Sequence, residues 1–434
     1  MSTEHEMRAA SPLLVAAGIA VVASVAVTAE SWQRASIDQL GFIPYAFALF
    51  IAVGEVLRIA LPGSRQSAPL ASAGAIAFAL LPAFPLRPSS LGFLPLHYEW
   101  PLVVTVVTLG SVLGAFPGAI VGRGMHLDEL ARRVLTTMLA AAVFRPWIGT
   151  LLPSKNEIGW RLALAMTAAA VLAASADAVL AASVRSSQAR SPFRTALVDE
   201  FRALVGISSA IAATGVLIAL AAPKMGYVAL PVFAVPLLLT QFSFRRYATI
   251  EATYLQTIRS LAKVTEVGGY TETGHSRRVS ILSKAIAREM GISERDIKDL
   301  DYAALMHDIG QLSLTDPIPG GATTMVAPVD QRRIAELGAE VIRQAGVLDR
   351  AALIVERQAD PYRPYRGPQD DSLPLESRII KVVNAYDDLV GASLESDRKL
   401  RAIERLQLGI DREYDPDVVD TLSRIIERQS EFAY

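Results

Sequence analysis

The chain has 434 residues, of which 52% are hydrophobic and 20% charged, and its mean hydropathy is +0.34. That balance is too apolar for an ordinary soluble enzyme of this length and points to a membrane protein with the lipid bilayer as a partner. A net charge of −1 argues against a globally basic binder of nucleic-acid polymers, and the absence of cysteine excludes disulfides, thiolate metal sites and cysteine nucleophiles.

Apolar runs occupy residues 11–30, 41–62, 67–84, 101–122, 130–152, 161–184, 203–222 and 227–244. Most approach the ~20 residues needed to cross the hydrocarbon, so residues 1–244 read as a transmembrane domain of about eight helices. Lys and Arg are concentrated in alternate connections. The richer set holds Arg58 and Arg65, then Arg123, Arg132 and Arg133, then Arg185, Arg190, Arg194 and Arg202, then Arg245 and Arg246. By the positive-inside rule that set is cytoplasmic, as are both termini. A cleavable leader ending at Val27-Thr28-Ala29 is the rival reading of the first run, opposed by Glu4 and Glu6 against a lone Arg8.

In the fourth run Gly110, Gly114, Gly118 and Gly122 recur every four residues, which clears one stripe for a neighbouring helix. The stripe serves packing within one subunit or the seam of a homodimer. Glu55, Arg58 and Asp177 lie inside apolar runs, where ionisable groups mark a ligand or ion site or else pair locally near the interface.

Residues 245–268 form a connecting helix, with Ile250, Tyr254, Ile258, Leu261 and Val264 spaced by three or four and Gly268-Gly269 at its end. It continues the last span as a tether, or pairs with a second copy as a short coiled coil. Residues 269–434 then read as helices at 274–290, 293–310, 328–345, 349–358, 375–391, 397–408 and 415–430, with Ser293 as a cap and Gly291 as a stop. Proline-rich loops at 316–328 and 361–374 interrupt them. No sheet-type alternation, phosphate loop or nucleophile elbow is present, and the fold class is all-α.

The pair His307-Asp308 offers the nitrogen and carboxylate that divalent ions take, and His275 is the only other histidine of the second half. Gly274-His275-Ser276-Arg277-Arg278-Val279, Ala303-Ala304-Leu305-Met306-His307-Asp308-Ile309-Gly310 and Ile379-Ile380-Lys381-Val382-Val383-Asn384-Ala385-Tyr386-Asp387-Asp388-Leu389 occur in that order. Together with the tail Tyr414-Asp415-Pro416-Asp417 they resemble the HD superfamily of metal-dependent phosphohydrolases, most closely its HD-GYP branch. The resemblance implies a bacterial inner-membrane signalling protein with an HD-type domain from 269 to 434. It also implies metal ligands at His275, His307, Asp308 and Asn384, and a divalent ion such as iron or manganese. If the site is active, His307 and Asp308 are catalytic and the substrate is a cyclic dinucleotide, cyclic di-GMP above all, hydrolysed by metal-activated water.

Several positions depart from the family pattern. No histidine follows His307, Ile334 and the stretch around Arg357, Gln358 and Ala359 stand where the branch has histidines, and Pro364-Tyr365-Arg366-Gly367-Pro368 replaces its Gly-Tyr-Pro signature. Asn384 stands where the pattern closes with aspartate, and Gln311 where it has lysine; Glu272 and Asp387 are potential substitute ligands. Gln311, Arg277 and Arg278, and the pairs Arg332-Arg333 and Arg363 with Arg366, are candidates for holding phosphate. These departures favour a binding or regulatory module with weak or no hydrolysis over a working phosphodiesterase; a carrier regulated by the domain is the third reading, weakened by the lack of repeated membrane carboxylates or matching broken helices in the first half.

Overall fold

The apolar runs of the first half fold mainly as helix, interrupted by short strands at Ile59–Leu61 and Ala83–Pro85 and by a non-helical Gly206. The helices are Ser2–Gln33, Ile43–Val56, Pro69–Leu80, Trp100–Ile120, Leu127–Phe144, Trp160–Ala189 and Ser209–Met225, followed by the start of the long helix Ala229–Val267. The computed structural model describes residues 2–33, 41–61, 65–85, 93–96, 98–122, 126–148, 159–189, 191–314, 318, 322–323, 326–346, 348–364, 370–393 and 395–431. The chain divides into two units, Met1–Gln188 with Ala196–Thr249, and Ala189–Thr195 with Ile250–Tyr434.

Among the described residues, four stretches are long and apolar enough to cross a membrane: Pro12–Glu30, Trp100–Ile120, Trp160–Gln188 and Phe193–Val267, the last of which extends into the second unit at both ends. Ile43–Val56 and Pro69–Leu80, with 14 and 12 residues, extend only about 21 and 18 Å against a hydrocarbon core of ~30 Å. Length therefore does not carry a count of eight full crossings. Two antiparallel ribbons, Ile59–Leu61 with Arg65–Ser67 and Ala83–Pro85 with Phe93–Pro95, are the only strands among the described residues, and the class stays all-α.

Half of the glycine stripe packs inside this unit. A Cβ on Gly110 would stand 2.6 Å from the Ala48 carbonyl oxygen, and one on Gly114 2.4 Å from that of Ala52, so Trp100–Ile120 lies directly against Ile43–Val56. Gly122 has open space around its Cβ position.

The ionisable residues of the apolar runs pair locally. Arg133 donates to Glu55 at 2.7 Å, to Ser111 at 3.0 Å and to Glu129 at 3.1 Å, Arg58 bridges Glu55 and Glu129, and Arg132 reaches Asp177 at 2.7 Å. Breaking one buried pair of this kind costs about 3–5 kcal/mol, because the surviving charge has no solvent to turn to. Arg132 and Arg133 are buried here, so they do not act as loop charges. The Lys/Arg asymmetry behind the expected orientation is correspondingly smaller than the sequence count.

Ala229–Val267 runs unbroken through the expected connector. It stops where Gly269 takes φ +77° and the amides of Gly268 and Tyr270 turn back to the carbonyls of Val264 and Thr265. Ile258 is buried in the core of the second unit, whereas Ile250, Tyr254, Leu261 and Val264 are exposed on the single chain.

The second unit contains His275–Glu289, Glu294–Met306, Pro328–Arg343, Asp349–Glu356, Leu375–Val390, Ser396–Gln407 and Pro416–Glu431. Each follows its sequence signals: Gly291 at φ +78° ends the first, and the Ser293 hydroxyl accepts the Asp296 amide to start the next. Val279, Ile286, Leu300, Val355, Ile380, Val383, Val418 and Leu422 meet in its core. One boundary differs from expectation in a way that matters. The helix expected over 293–310 ends at Met306 and gives way to a 3-10 turn at Ile309–Ser313. Adjacent α-helical side chains diverge by about 100°, so leaving the helix here lets His307 and Asp308 turn toward one point.

Gly310 makes that turn feasible, since a Cβ there would lie 1.9 Å from the Ile334 carbonyl oxygen and 2.8 Å from the Gly338 amide. Both contacts are backbone and cannot swing aside. Gly310→Ala is therefore expected to push the turn away from Pro328–Arg343 and destabilise the protein by about 1–3 kcal/mol, read as a lower thermal midpoint of the full chain.

Candidate metal centre

His275 is the first residue of its helix, His307 and Asp308 sit at the turn after Met306, and Asn384 lies in the middle of Leu375–Val390. All four are buried, at 4%, 0%, 3% and 8% relative exposure. The His275 and His307 Nε2 atoms are 3.2 Å apart, and Asp308 Oδ2 lies 3.3 Å from the first and 3.2 Å from the second. Asn384 Oδ1 stands 3.3 Å from His307 Nε2. The structure thus brings together the four residues that the family resemblance implies as ligands.

The surrounding hydrogen bonds dictate what these atoms present. His275 Nδ1 meets Asp387 Oδ2 at 2.7 Å, and His307 Nδ1 meets the Ala304 carbonyl oxygen at 2.9 Å. Neither partner can donate, so each Nδ1 carries the proton and each neutral ring turns a bare Nε2 lone pair inward. The Asn384 amide is oriented likewise, because its Nδ2 donates to Thr323 Oγ1 at 3.0 Å and leaves Oδ1 facing His307. Asp308 Oδ2 is buried without a hydrogen bond. With both rings neutral, four acceptors face one another with no donor among them, an arrangement that a metal cation, or a proton added to an imidazole, satisfies. Two imidazole nitrogens, one carboxylate and one amide oxygen suit a borderline-hard divalent ion, and the ligand atoms of His275, His307 and Asp308 lie within 4.8 Å of one another.

With protons as the only cations, the same crowding shifts every group. Burial opposes a charged His275, but Asp308 and Asp387 outweigh it and raise its pKa to about 10. His307 is raised in the same way against its own burial, chiefly by Asp308. Burial alone would raise Asp308, yet His307 and His275 hold its carboxyl far below the usual carboxylate range.

A protein-family model for the HD domain matches residues 259–418. These residues belong to the HD superfamily. The chain is 27% identical over 185 residues to the cyclic di-GMP phosphodiesterase response regulator RpfG of Xanthomonas campestris, covering 40% of this chain and 49% of that protein. It is 28% identical over 165 residues to a cyclic di-GMP phosphodiesterase of Thermotoga maritima, covering 35% and 44%. It is also 28% identical over 176 residues to the 3'3'-cGAMP-specific phosphodiesterase 3 of Vibrio cholerae, covering 38% of each chain. The chain thus spans about half the length of these relatives or less.

Within this HD domain, Asp387 does not reach inward as a ligand. It sits one turn after Asn384, accepts both Nε and Nη2 of Arg278 at 2.8 Å, and fixes the His275 ring from behind. Glu272 accepts from Arg278 at 2.7 Å on the outer side. Arg278 is therefore committed to orienting carboxylates, Arg277 is exposed, and Gln311 is fully buried. Ile334 and Gln358 line one cavity of about 340 Å³ together with Asp308, Thr323 and Asn384. Gln358 also donates to the His307 carbonyl oxygen at 2.7 Å. Arg332 and Arg333 are exposed, and Arg366 lies outside the described residues.

Sequence reasoning did not find Thr323, Arg278 as a positioning residue, or the Ala304 carbonyl. The roles of Thr323 and Arg278 arise from contacts 61 and 109 residues away in sequence, whereas the Ala304 carbonyl is a local partner three residues before His307. The Asp387 arrangement predicts that Asp387→Asn leaves the fold intact but lowers manganese affinity by about 10–100-fold, as loss of an outer carboxylate does elsewhere. Calorimetric titration of the purified protein measures it, and unchanged affinity would remove the orienting role.

Proposed function

We propose that this is a membrane-anchored signalling protein whose HD domain holds one divalent cation and recognises a cyclic dinucleotide, acting as a regulatory module with weak or no hydrolysis. The observation that carries the reading is the single converging donor set of His275, His307, Asp308 and Asn384, which contains only one carboxylate. Where the branch has further histidines, Ile334 has no donor atom to offer, and Gln358 spends its amide on the His307 carbonyl. Among the described residues, His275, His307 and Asp308 are the one group of His, Asp and Glu side chains gathered closely enough to hold an ion, which favours a single-ion centre. The named substrates of the relatives support a cyclic dinucleotide, and the apolar helices support membrane attachment, with the inner membrane of a bacterium as the location. The exposed Ile250, Tyr254, Leu261 and Val264 favour pairing of two copies through the connecting helix.

A second reading, a one-ion phosphodiesterase, is favoured by the opening of Asp308 and Asn384 onto the cavity beside them. A divalent ion there supplies Lewis acidity toward a phosphate ester. The chain's own contribution would be the fixed orientation of the two imidazoles through Asp387 and Ala304. Metal content and turnover of the full-length protein in detergent decide between the two. One manganese per chain with cyclic di-GMP bound but uncleaved supports the regulatory module, and turnover abolished by His307→Ala supports the phosphodiesterase. A protein without metal in either assay sinks both.

A further inference from the structure

The cavity beside the candidate metal centre has a second polar wall that the functional reading does not use. Lys381 lies one helical turn before Asn384 on the same face of Leu375–Val390, and it is the only cationic side chain among the described residues lining the cavity. Its ammonium has three donors. Two are fixed on the backbone carbonyls of Ala359, at 2.9 Å, and Asp360, at 3.1 Å. The third points to the Glu413 carboxylate at 2.5 Å. The lysine side chain is 10% exposed and the glutamate 49%, so the cation is held in the wall while its anion is the movable partner. Burial pulls Lys381 below the ordinary lysine value, and the Glu413 and Asp360 carboxylates offset part of that.

We infer that Lys381 is an anion-binding residue for a phosphate group entering this cavity, and that Glu413 occupies the phosphate position until it is displaced. The inference rests on the cation reading above only in that the two sites share one cavity. Its volume of about 340 Å³ falls within the range of about 300–1,000 Å³ usual for small-molecule sites. Divalent cation and ammonium would then flank the cavity from two walls, which selects a ligand with negative charge. Glu413, one residue before the Tyr414 that also lines the cavity, acts as an internal competitor. A lysine serving only as a staple for the loop at Ala359 and Asp360 would gain nothing from loss of Glu413.

The test titrates the full-length protein in detergent with inorganic pyrophosphate and with cyclic di-GMP, with metal content measured in parallel. Glu413→Gln is expected to tighten binding about tenfold, and Lys381→Met to weaken it at least tenfold. Adding Glu413→Gln to Lys381→Met should restore nothing, because the competitor acts only through the ammonium. The tighter probe identifies a nucleotide or a free phosphate as the source of the anion. If one manganese per chain is bound but neither probe responds to either substitution, the Lys381 site is overturned and the cation reading stands. If manganese is absent but pyrophosphate binding still follows Lys381 and Glu413, the cation reading fails and the anion site stands. Should Lys381→Met lose its fold by circular dichroism, Glu413→Gln alone decides: unchanged or weakened binding overturns the proposal.

Discussion

Substituting His307 with alanine is expected to abolish stoichiometric manganese binding by the full-length protein. His307 Nε2 is the common vertex of the donor set, lying 3.2 Å from His275 Nε2, 3.2 Å from Asp308 Oδ2 and 3.3 Å from Asn384 Oδ1. Without it, one imidazole, one carboxylate and one amide oxygen remain. Removing a ligand should exceed the roughly 10–100-fold penalty known for outer partners, so a loss of at least about 100-fold is expected. His307→Leu keeps most of the buried volume but offers no ligand atom, and so separates loss of a ligand from loss of packing. Wild-type affinity should also fall as pH falls. His275 keeps its proton up to about 10, so at neutral pH an entering ion must expel it, at about tenfold in affinity per pH unit for each proton displaced. Calorimetry at three pH values reads both effects. One manganese retained per chain in His307→Ala would show that the ion sits elsewhere.

Much of the second unit is legible from the sequence because its helices obey local rules. The Ser293 cap, the Gly291 stop and the Gly268-Gly269 break all stand where the sequence places them. The departure at Met306 is legible only in hindsight, since the close approach of Ile334 to Gly310 is a tertiary event. For the candidate site the His-Asp pair signals ancestry, and the spacing of Asn384 and Asp387 places both on one face of a helix. The division of labour between them is not encoded locally. Asp387 turns to His275 and Arg278 while Asn384 turns to His307 and Thr323, a choice made by neighbours 61 to 112 residues away in sequence. In the first unit, Glu55 and Asp177 are conspicuous in apolar runs, but their partners Arg133 and Arg132 sit at the charged start of Leu127–Phe144, where they read as loop charges. Of the two readings open in the sequence, an ion site or pairing, the structure shows pairing, buried for Glu55 with Arg133 and partly exposed for Asp177 with Arg132.

Asn384→Asp is expected to tighten manganese binding at least about tenfold, because it adds a second anionic ligand where a neutral carbonyl now stands. The substitution is nearly isosteric, and the Thr323 hydroxyl, which now accepts from the amide, can rotate to donate to the new carboxylate instead. In the protein stripped with a chelator the change should be unfavourable. A carboxylate at position 384 would be buried beside His307, on whose other side Asp308 is already held, and two carboxylates there repel without a cation between them. The gap in thermal midpoint between manganese-loaded and chelator-treated protein should therefore widen relative to wild type, which binding data alone would not reveal. Cyclic di-GMP turnover is expected to stay below detection, since Ile334 and Gln358 still supply no further ligand on the cavity wall. Turnover gained by Asn384→Asp would mean that one missing charge silences the site, and a one-ion phosphodiesterase would replace the regulatory module as the better account. A widened thermal gap without turnover would instead place the block at Ile334 and Gln358, beyond the reach of any single ligand exchange at position 384.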